Sequence, residues 1–371
     1  MTSTPPAGAA APIPYQPTFE TPEDGEAETI AETKEVLLKM SATMFEHTGH
    51  ALRSVHAKSH GLLRGELEVL PNLPPTLAQG LFAQAGTYPL VARLSTPPAE
   101  ELDDAVSLPR AMAVKVIGVD GARLPGSEGA TTQDFLMING PKFSAPNAKG
   151  FLRNLKLLAA TTDKVPTAKK VLSSVLRGTE KVLEAVGLES GTVKAMGGHP
   201  ETHPLGDTYF AQVPLLYGPY MAKLQIVPVA PSLTALKDAP VDLDDKPDGL
   251  RDAVSDFFAS HDDAEWELRV QLCTDIEAMP IEDPSVIWPE EQSPYLAVAR
   301  IRIPRQSAWD AARKASVDDG MSFNPWHGLA AHRPLGSVMR VRRAVYPESV
   351  AFRGSRNGCP MHEPRNADMV G

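Results

Sequence analysis

Trp266, Leu268, Val270 and Leu272 alternate with Glu265, Glu267, Arg269 and Gln271, a period of two that predicts a strand with one buried and one wetted face. Ala299, Ile301 and Ile303 alternate with Arg300 and Arg302 in the same way. Shorter strands are predicted at Gly65 to Leu70, Leu90 to Ser95, Ala111 to Val119, Asp134 to Ile138, Asp207 to Val213 and Met221 to Val227. About eight such strands suit a closed antiparallel sheet. Helical spacing takes over at Glu28 to Glu46, Lys149 to Ala160, Thr167 to Val186 behind Pro166, and Leu250 to Ala259. Helix-bearing insertions of this length between strands predict an α+β chain, an antiparallel eight-stranded β-barrel with surrounding helices.

The chain has 371 residues, enough for one large core without a disulfide or metal staple. Pro and Ala dominate the first 25 or so residues, which reads as a flexible arm; residues 26–355 read as a single domain and 356–371 as a C-terminal tail. The net charge of −10 excludes a general polyanion partner such as nucleic acid. Charge is nevertheless uneven, because ten Lys or Arg and four acids lie between Arg300 and Arg353, a local +6. The only cysteines, Cys273 and Cys359, form no CxxC pair, which suits a reducing compartment. The opening residues show no leader pattern, and no stretch approaches the roughly 18 apolar residues of a spanning helix. The expectation is a soluble, cytoplasmic protein without a membrane span. Proline is abundant at 35 residues, which predicts many conformationally fixed loops.

His56 and His60 stand four apart, as do His199 and His203, but neither pair carries the Glu of a zinc-protease helix. Surface or capping roles are the default for His60, His199 and His203. Neither a P-loop nor a GxGxxG turn occurs, so nucleotide chemistry has no support. His56 reads differently among its neighbours. RSVHAKSHG (Arg53 to Gly61) is followed in order by PLVARLSTP with Arg93 and Ser95, by LPRAMAVKV at Leu108 to Val116, by DFLMINGPKF at Asp134 to Phe143, and by RRAVYPESVAFR at Arg342 to Arg353. This ordered series resembles the haem catalase superfamily, whose motifs read RxVHAxG, VRFST, PRGxAVK and RxxxYxDxxxxR. The shorter length resembles the small catalase-related peroxidase branch.

The resemblance implies a catalase-like barrel holding haem b. Tyr346 matches the iron ligand, with Arg342 one helical turn earlier to favour its phenolate. Arg53, Arg93 and Arg353 match the residues that pair with the haem propionates, a use suited to the planar guanidinium. His56 matches the distal acid–base residue and Ser95 the hydroxyl that orients it. Val55 matches the apolar residue narrowing the approach, and Phe143 the ring stacked near the haem.

The chain departs from the family where a distal asparagine should stand: Ala130 falls there, with Thr131 or Gln133 as polar substitutes. The expected activity is therefore reduction of hydrogen peroxide or an organic hydroperoxide by a small-molecule electron donor, with weak catalase turnover. A hydroperoxide isomerase or dehydratase of the allene oxide synthase kind is the enzymatic alternative, although Val55 stands where those carry a hydroxyl. A non-catalytic haem carrier or sensor is the alternative of another class. NADPH binding and a homo-oligomeric state are left open.

Overall fold

The computed structural model describes residues 10–106, 108–161, 199–358 and 361–366. The helix predicted over Thr167 to Val186 lies outside the described residues. Nine strands are formed: β1 (Ser59–Val69), β2 (Gly86–Ser95), β3 (Ala111–Ile117), β4 (Thr132–Ile138), β5 (Tyr209–Phe210), β6 (Leu215–Tyr217), β7 (Tyr220–Pro228), β8 (Ala264–Leu272) and β9 (Leu296–Ile303). Antiparallel pairing runs β5-β4-β3-β2-β1-β9-β8-β7, and Tyr209 opposite Ile226 joins β5 back to β7. Eight strands therefore close a ring, and β6 hangs outside it as a hairpin partner of β7. The closed eight-stranded antiparallel barrel predicted from the alternation is present.

Its interior holds the apolar residues that alternate along the strands, among them Leu63, Leu67, Leu94, Val114, Leu224, Trp266 and Leu268. The outer faces of β8 and β9 differ. Arg300 and Arg302 stay at the surface and pair with Glu265. Glu267 and Gln271 were expected to be wetted; both are buried, and Gln271 donates to the carbonyls of Trp288 and Ser293. Between β1 and β9 the approach is close enough to require glycine, because a Cβ at Gly65 would meet the Arg302 carbonyl and the Ile303 side chain.

Predicted strand 207–213 shrinks to the two-residue β5, and β1 begins six residues earlier than predicted, at Ser59. Four longer helices surround the barrel: α1 (Glu26–Thr48), α2 (Ala148–Thr161), α3 (Gly249–Ser260) and α4 (Ser337–Asn357). Leu37, Met40 and Met44 of α1 recur at helical spacing and pack on Leu155 of α2 and on Val341 and Val345 of α4, a second core beside the barrel. None of the described helices is long and apolar enough to cross a membrane.

The described part of the expected arm is bound to the body. Ile13 N donates to Cys273 O, Tyr15 N to Pro219 O, and Glu20 and Glu26 pair with Arg340 of α4. The basic stretch from Arg300 to Arg353 is consequently not one patch: Arg300 and Arg302 lie on the barrel wall, Arg340 in this carboxylate clamp, and Arg342 and Arg353 on the cavity described next.

Candidate functional site

Gly49, at φ 69°, ends α1 in the left-handed conformation that glycine allows. The chain then runs irregularly through Arg53, Val55 and His56 to β1. His56 itself has φ 59°, uncommon for a residue with a side chain, and its surroundings fix it there. His56 N donates to Pro97 O (2.7 Å) and Ala57 N to Pro98 O (2.9 Å), so two of the abundant prolines supply a rigid edge. Nη2 of Arg93, on β2, donates to the carbonyls of His56 (2.8 Å) and Ala57 (3.1 Å). Two residues along the same strand, the Ser95 hydroxyl lies 3.3 Å from His56 Nδ1. Burial, and then the positive charges of Arg93, Arg342 and Arg53, push the His56 pKa down to about 3. The imidazole is neutral at ordinary pH, tethered at Nδ1, with Nε2 left for a proton.

A second group of side chains gathers around a wide, π-type helical turn at Lys314–Asp319. The Arg93 Nε donates to the Asp318 carboxylate at 2.6 Å, and the Ser59 hydroxyl donates to its other oxygen at 2.6 Å. Arg53 Nη2 donates to the carbonyls of Val317, Asp318 and Met321, and Arg353 Nη1 to that of Asp318 at 2.6 Å. The Asp318 pKa is lowered: burial works to raise it, and Arg93 and Arg53 outweigh that. Burial and mutual repulsion lower both neighbouring guanidinia, Arg53 well below its usual value and Arg353 to about 10. Nε of Arg53 and Nε of Arg353 are buried without a hydrogen-bond partner.

The third wall is α4. Tyr346 and Val345 pack with Val55 and Leu37 in the second core, and Arg342, one turn before Tyr346, lies over the Phe143 ring at 5.4 Å. Pro347 sits inside this helix directly after Tyr346 and removes one main-chain donor there. Glu348, the acid two residues after the tyrosine, pairs with Lys34 of α1. Hydroxyls tie the walls together: Ser54 Oγ lies 2.8 Å from Ser41 Oγ on α1 and 2.9 Å from Ser349 Oγ on α4.

One open cavity joins these walls. Arg53, Val55, His56, Arg93, Ser95, Phe143, Arg342, Tyr346 and Arg353 all line it. Sequence reading missed Leu136, Met137, Ile138, Phe210, Val213 and Phe323, which make much of the remaining lining apolar. It also missed Asp318, whose place beside the arginines no local pattern announces. Neither polar substitute named for the absent asparagine reaches the cavity. Gln133 Oε1 accepts from Leu329 N at 2.8 Å and Thr131 O accepts from Val119 N, both at the far end of β4, because the strand runs seven residues from there to the cavity. His60, His199 and His203 are buried rather than on the surface, and His203 caps a short turn by accepting from Leu205 N.

The chain matches no protein-family model. No curated protein sequence matches it either. Solved structures do match in fold, and the fold is that of the catalases. Catalase A from Saccharomyces cerevisiae superposes with a TM-score of 0.60 at 16% identity, over 90% of this chain and 67% of that one. A bacterial catalase gives 0.59 at 14% identity over 89% and 63%, and a fungal catalase 0.56 at 17% over 86% and 62%. The chain thus spans about two thirds of the length of these proteins.

The cavity itself defines the ligand chemistry it suits. The three guanidinia are met by the fully engaged Asp318 carboxylate and, more distantly, by Asp319, and two guanidinium nitrogens have no partner, so further negative charge would complete the set. A flat apolar body carrying two carboxylates fits that charge together with the apolar walls, and Tyr346 offers an oxygen donor for a metal at its centre. Haem b has this chemistry, and the residues present fit it.

Proposed function

We propose that this protein is a haem-dependent peroxidase that reduces hydrogen peroxide or an organic hydroperoxide. The observation carrying the reading is that a neutral, hydroxyl-tethered histidine, an undercompensated arginine cluster and a helix-borne tyrosine line one cavity. Arg53, Arg93 and Arg353 would hold the propionates and Tyr346 the iron. Arg342, one turn before the tyrosine, adds a further positive charge to the same cavity. Haem, when bound, supplies the redox-active iron at which the O–O bond is cleaved.

His56 performs the proton transfer. Its neutral Nε2 accepts the hydroperoxide proton and returns it to the departing oxygen, which leaves as an alcohol or water. Ser95, at Nδ1, holds the ring in the orientation that turns Nε2 toward the substrate. The electron donor supplies the two electrons that the hydroperoxide takes up, and two further protons, from the donor or solvent, convert the remaining oxygen to water.

A preference for peroxidase over catalase turnover rests on the lining. Among the described residues the one carboxamide on the cavity is Gln212, and its amide nitrogen already donates to the carbonyls of Gly140 and Lys142. Orienting a second peroxide as reductant therefore has little polar help beside His56, whereas Leu136, Met137, Ile138, Phe210 and Val213 suit an apolar organic group.

The test is the visible spectrum of the purified, haem-supplemented protein beside that of Tyr346→Phe, followed by dye oxidation and oxygen evolution with hydrogen peroxide and with an organic hydroperoxide. A Soret band altered by the substitution, and dye oxidation exceeding oxygen evolution, is the expected result. Absence of a Soret band overturns the haem reading. Oxygen evolution without dye oxidation overturns the peroxidase preference, and an epoxide product without donor oxidation would point to the isomerase.

A further inference from the structure

Asp318 does not itself line the cavity, yet both of its carboxylate oxygens are committed to residues that order the histidine segment. The Ser59 hydroxyl, on β1, donates to Oδ2 at 2.6 Å and accepts in turn from the Trp309 indole N–H at 3.0 Å. Arg93 Nε, on β2, donates to Oδ1 at 2.6 Å. The same guanidinium turns Nη2 to the main-chain carbonyls of His56 (2.8 Å) and Ala57 (3.1 Å). Trp309, Ser59, Asp318, Arg93 and the His56 carbonyl are therefore linked in one chain of hydrogen bonds, with Asp318 the acceptor on which donors from both sides meet.

A guanidinium is a rigid planar fork, so fixing Nε on a carboxylate also fixes the direction in which Nη2 points. Arg93 needs that anchor, because it is repelled by its neighbours Arg53 and Arg353 and Asp318 is the carboxylate it pairs with. The histidine segment needs Arg93 in turn. At φ 59°, His56 holds a conformation that a residue with a side chain leaves when it is not restrained. Pro97 O and Pro98 O secure the N–H groups of His56 and Ala57, and Arg93 secures their carbonyls. The register of β1 on β2 sets Ser59 opposite Ser95, so the strand pair that carries the support for Asp318 also carries the hydroxyl at His56 Nδ1.

We propose that Asp318 is a positioning residue for the proton-transfer histidine, acting through Arg93 to hold the His56 main chain and with it the orientation of the ring. Its bearing on catalysis rests on the function proposed above; the positioning itself does not. In Asp318→Asn the shape of the side chain is kept and the charge is lost, and the new amino group must face one of two donors, Arg93 Nε or the Ser59 hydroxyl. The fork is then no longer anchored. A charge-assisted bond of this kind accounts for roughly a tenfold to hundredfold change in the equilibrium between a held and a released segment.

Nitrogen NMR of histidine-labelled protein and hydrogen exchange at the His56 and Ala57 amides are measured on the haem-free full-length chain. The variants are Asp318→Asn, Arg93→Lys and the two combined, with Gly65→Ala as a control for lost stability alone. Wild type should show His56 as a single Nδ1–H tautomer with both amides protected. Asp318→Asn should mix the tautomers and speed exchange at both amides about tenfold, whereas Gly65→Ala should leave the tautomer single. Arg93→Lys should act in the same way, and the combined variant should add nothing further, because both changes break one linkage. An unchanged His56 signal in Asp318→Asn, or effects that add in the combined variant, overturns the positioning role. Ser59→Ala removes only one of the two bonds to Asp318 and serves where Asp318→Asn does not fold; it should move the same signals in the same direction, and unmoved signals count equally against the proposal. With haem added, Asp318→Asn should slow peroxide cleavage about tenfold in single-turnover kinetics, and a released histidine with an unchanged rate overturns the catalytic part. A wild type that takes up no haem while Asp318→Asn still releases His56 leaves the positioning standing and removes the haem reading instead.

Discussion

His56 shows how much of the proposed chemistry depends on a single backbone conformation. Its positive φ is maintained by Pro97 O on one side and Arg93 on the other, so the imidazole meets Ser95 without further adjustment. In the haem-free protein an NMR titration should find this ring neutral down to about pH 3, because burial and three guanidinia oppose its protonation. The unfolded chain binds that proton near pH 6.5, so stability from this residue is complete above 6.5 and declines as pH falls toward 3. In the loaded protein, His56→Ala should keep the Soret band and lose about 10²- to 10⁴-fold in peroxide cleavage, read by single-turnover kinetics. An unchanged rate would favour a binding role. Asp318→Asn strips the arginine cluster of its carboxylate, and urea unfolding without haem should show a loss of about 3–5 kcal/mol, as for other broken buried pairs. Added haem should recover part of that loss, which an ordinary structural ion pair would not show.

Each wall of the cavity is set by a different kind of element. β2 carries Arg93 and Ser95 two positions apart, which places both side chains on one face of the strand. α4 carries Arg342, Tyr346 and Ser349 at three- and four-residue spacings, which places them along one helical face. The Ser41, Ser54 and Ser349 hydroxyls then fasten the irregular histidine segment between α1 and α4. The barrel must close tightly to hold these walls in register, and at Gly65 of β1 there is no room for a Cβ against Arg302 and Ile303 of β9. Gly65→Ala should therefore lower the thermal midpoint through overpacking worth about 1–3 kcal/mol, measured by calorimetry, while dye oxidation per bound haem changes little.

The whole molecule is a closed barrel with a helical flank and a cavity at their junction, and segments from both ends of the described chain are tied to its body. Glu20 and Glu26 near one end pair with Arg340 on α4, and Glu363 near the other reaches Lys115 on β3. A ligand completing the arginine cluster binds only the folded state, so haem should raise the unfolding temperature in a concentration-dependent way. Tyr346→Phe should reduce that rise and leave the haem-free midpoint near that of wild type, as differential scanning fluorimetry can establish.

Strands β8 and β9 were legible in the amino-acid sequence because alternation at period two is a local consequence of burying one face of a sheet. Position 267 escaped that rule: its carboxylate is buried and pairs with Arg269 of the same strand. The nine residues that the short motifs single out all line one cavity. Ring closure through the two-residue β5 was not legible, because so short a strand has no period to detect. Nor was the place of Asp318, or the reach of Glu363 across 248 positions to Lys115. Both are contacts between charges far apart in the chain, whose pairing depends on which groups folding buries side by side. Residue types and local periodicity thus determine the strands, the helical faces and the chemistry available. Only the closed tertiary structure decides which charges go uncompensated and where the cavity lies, because burial and electrostatic balance are properties of neighbours in space.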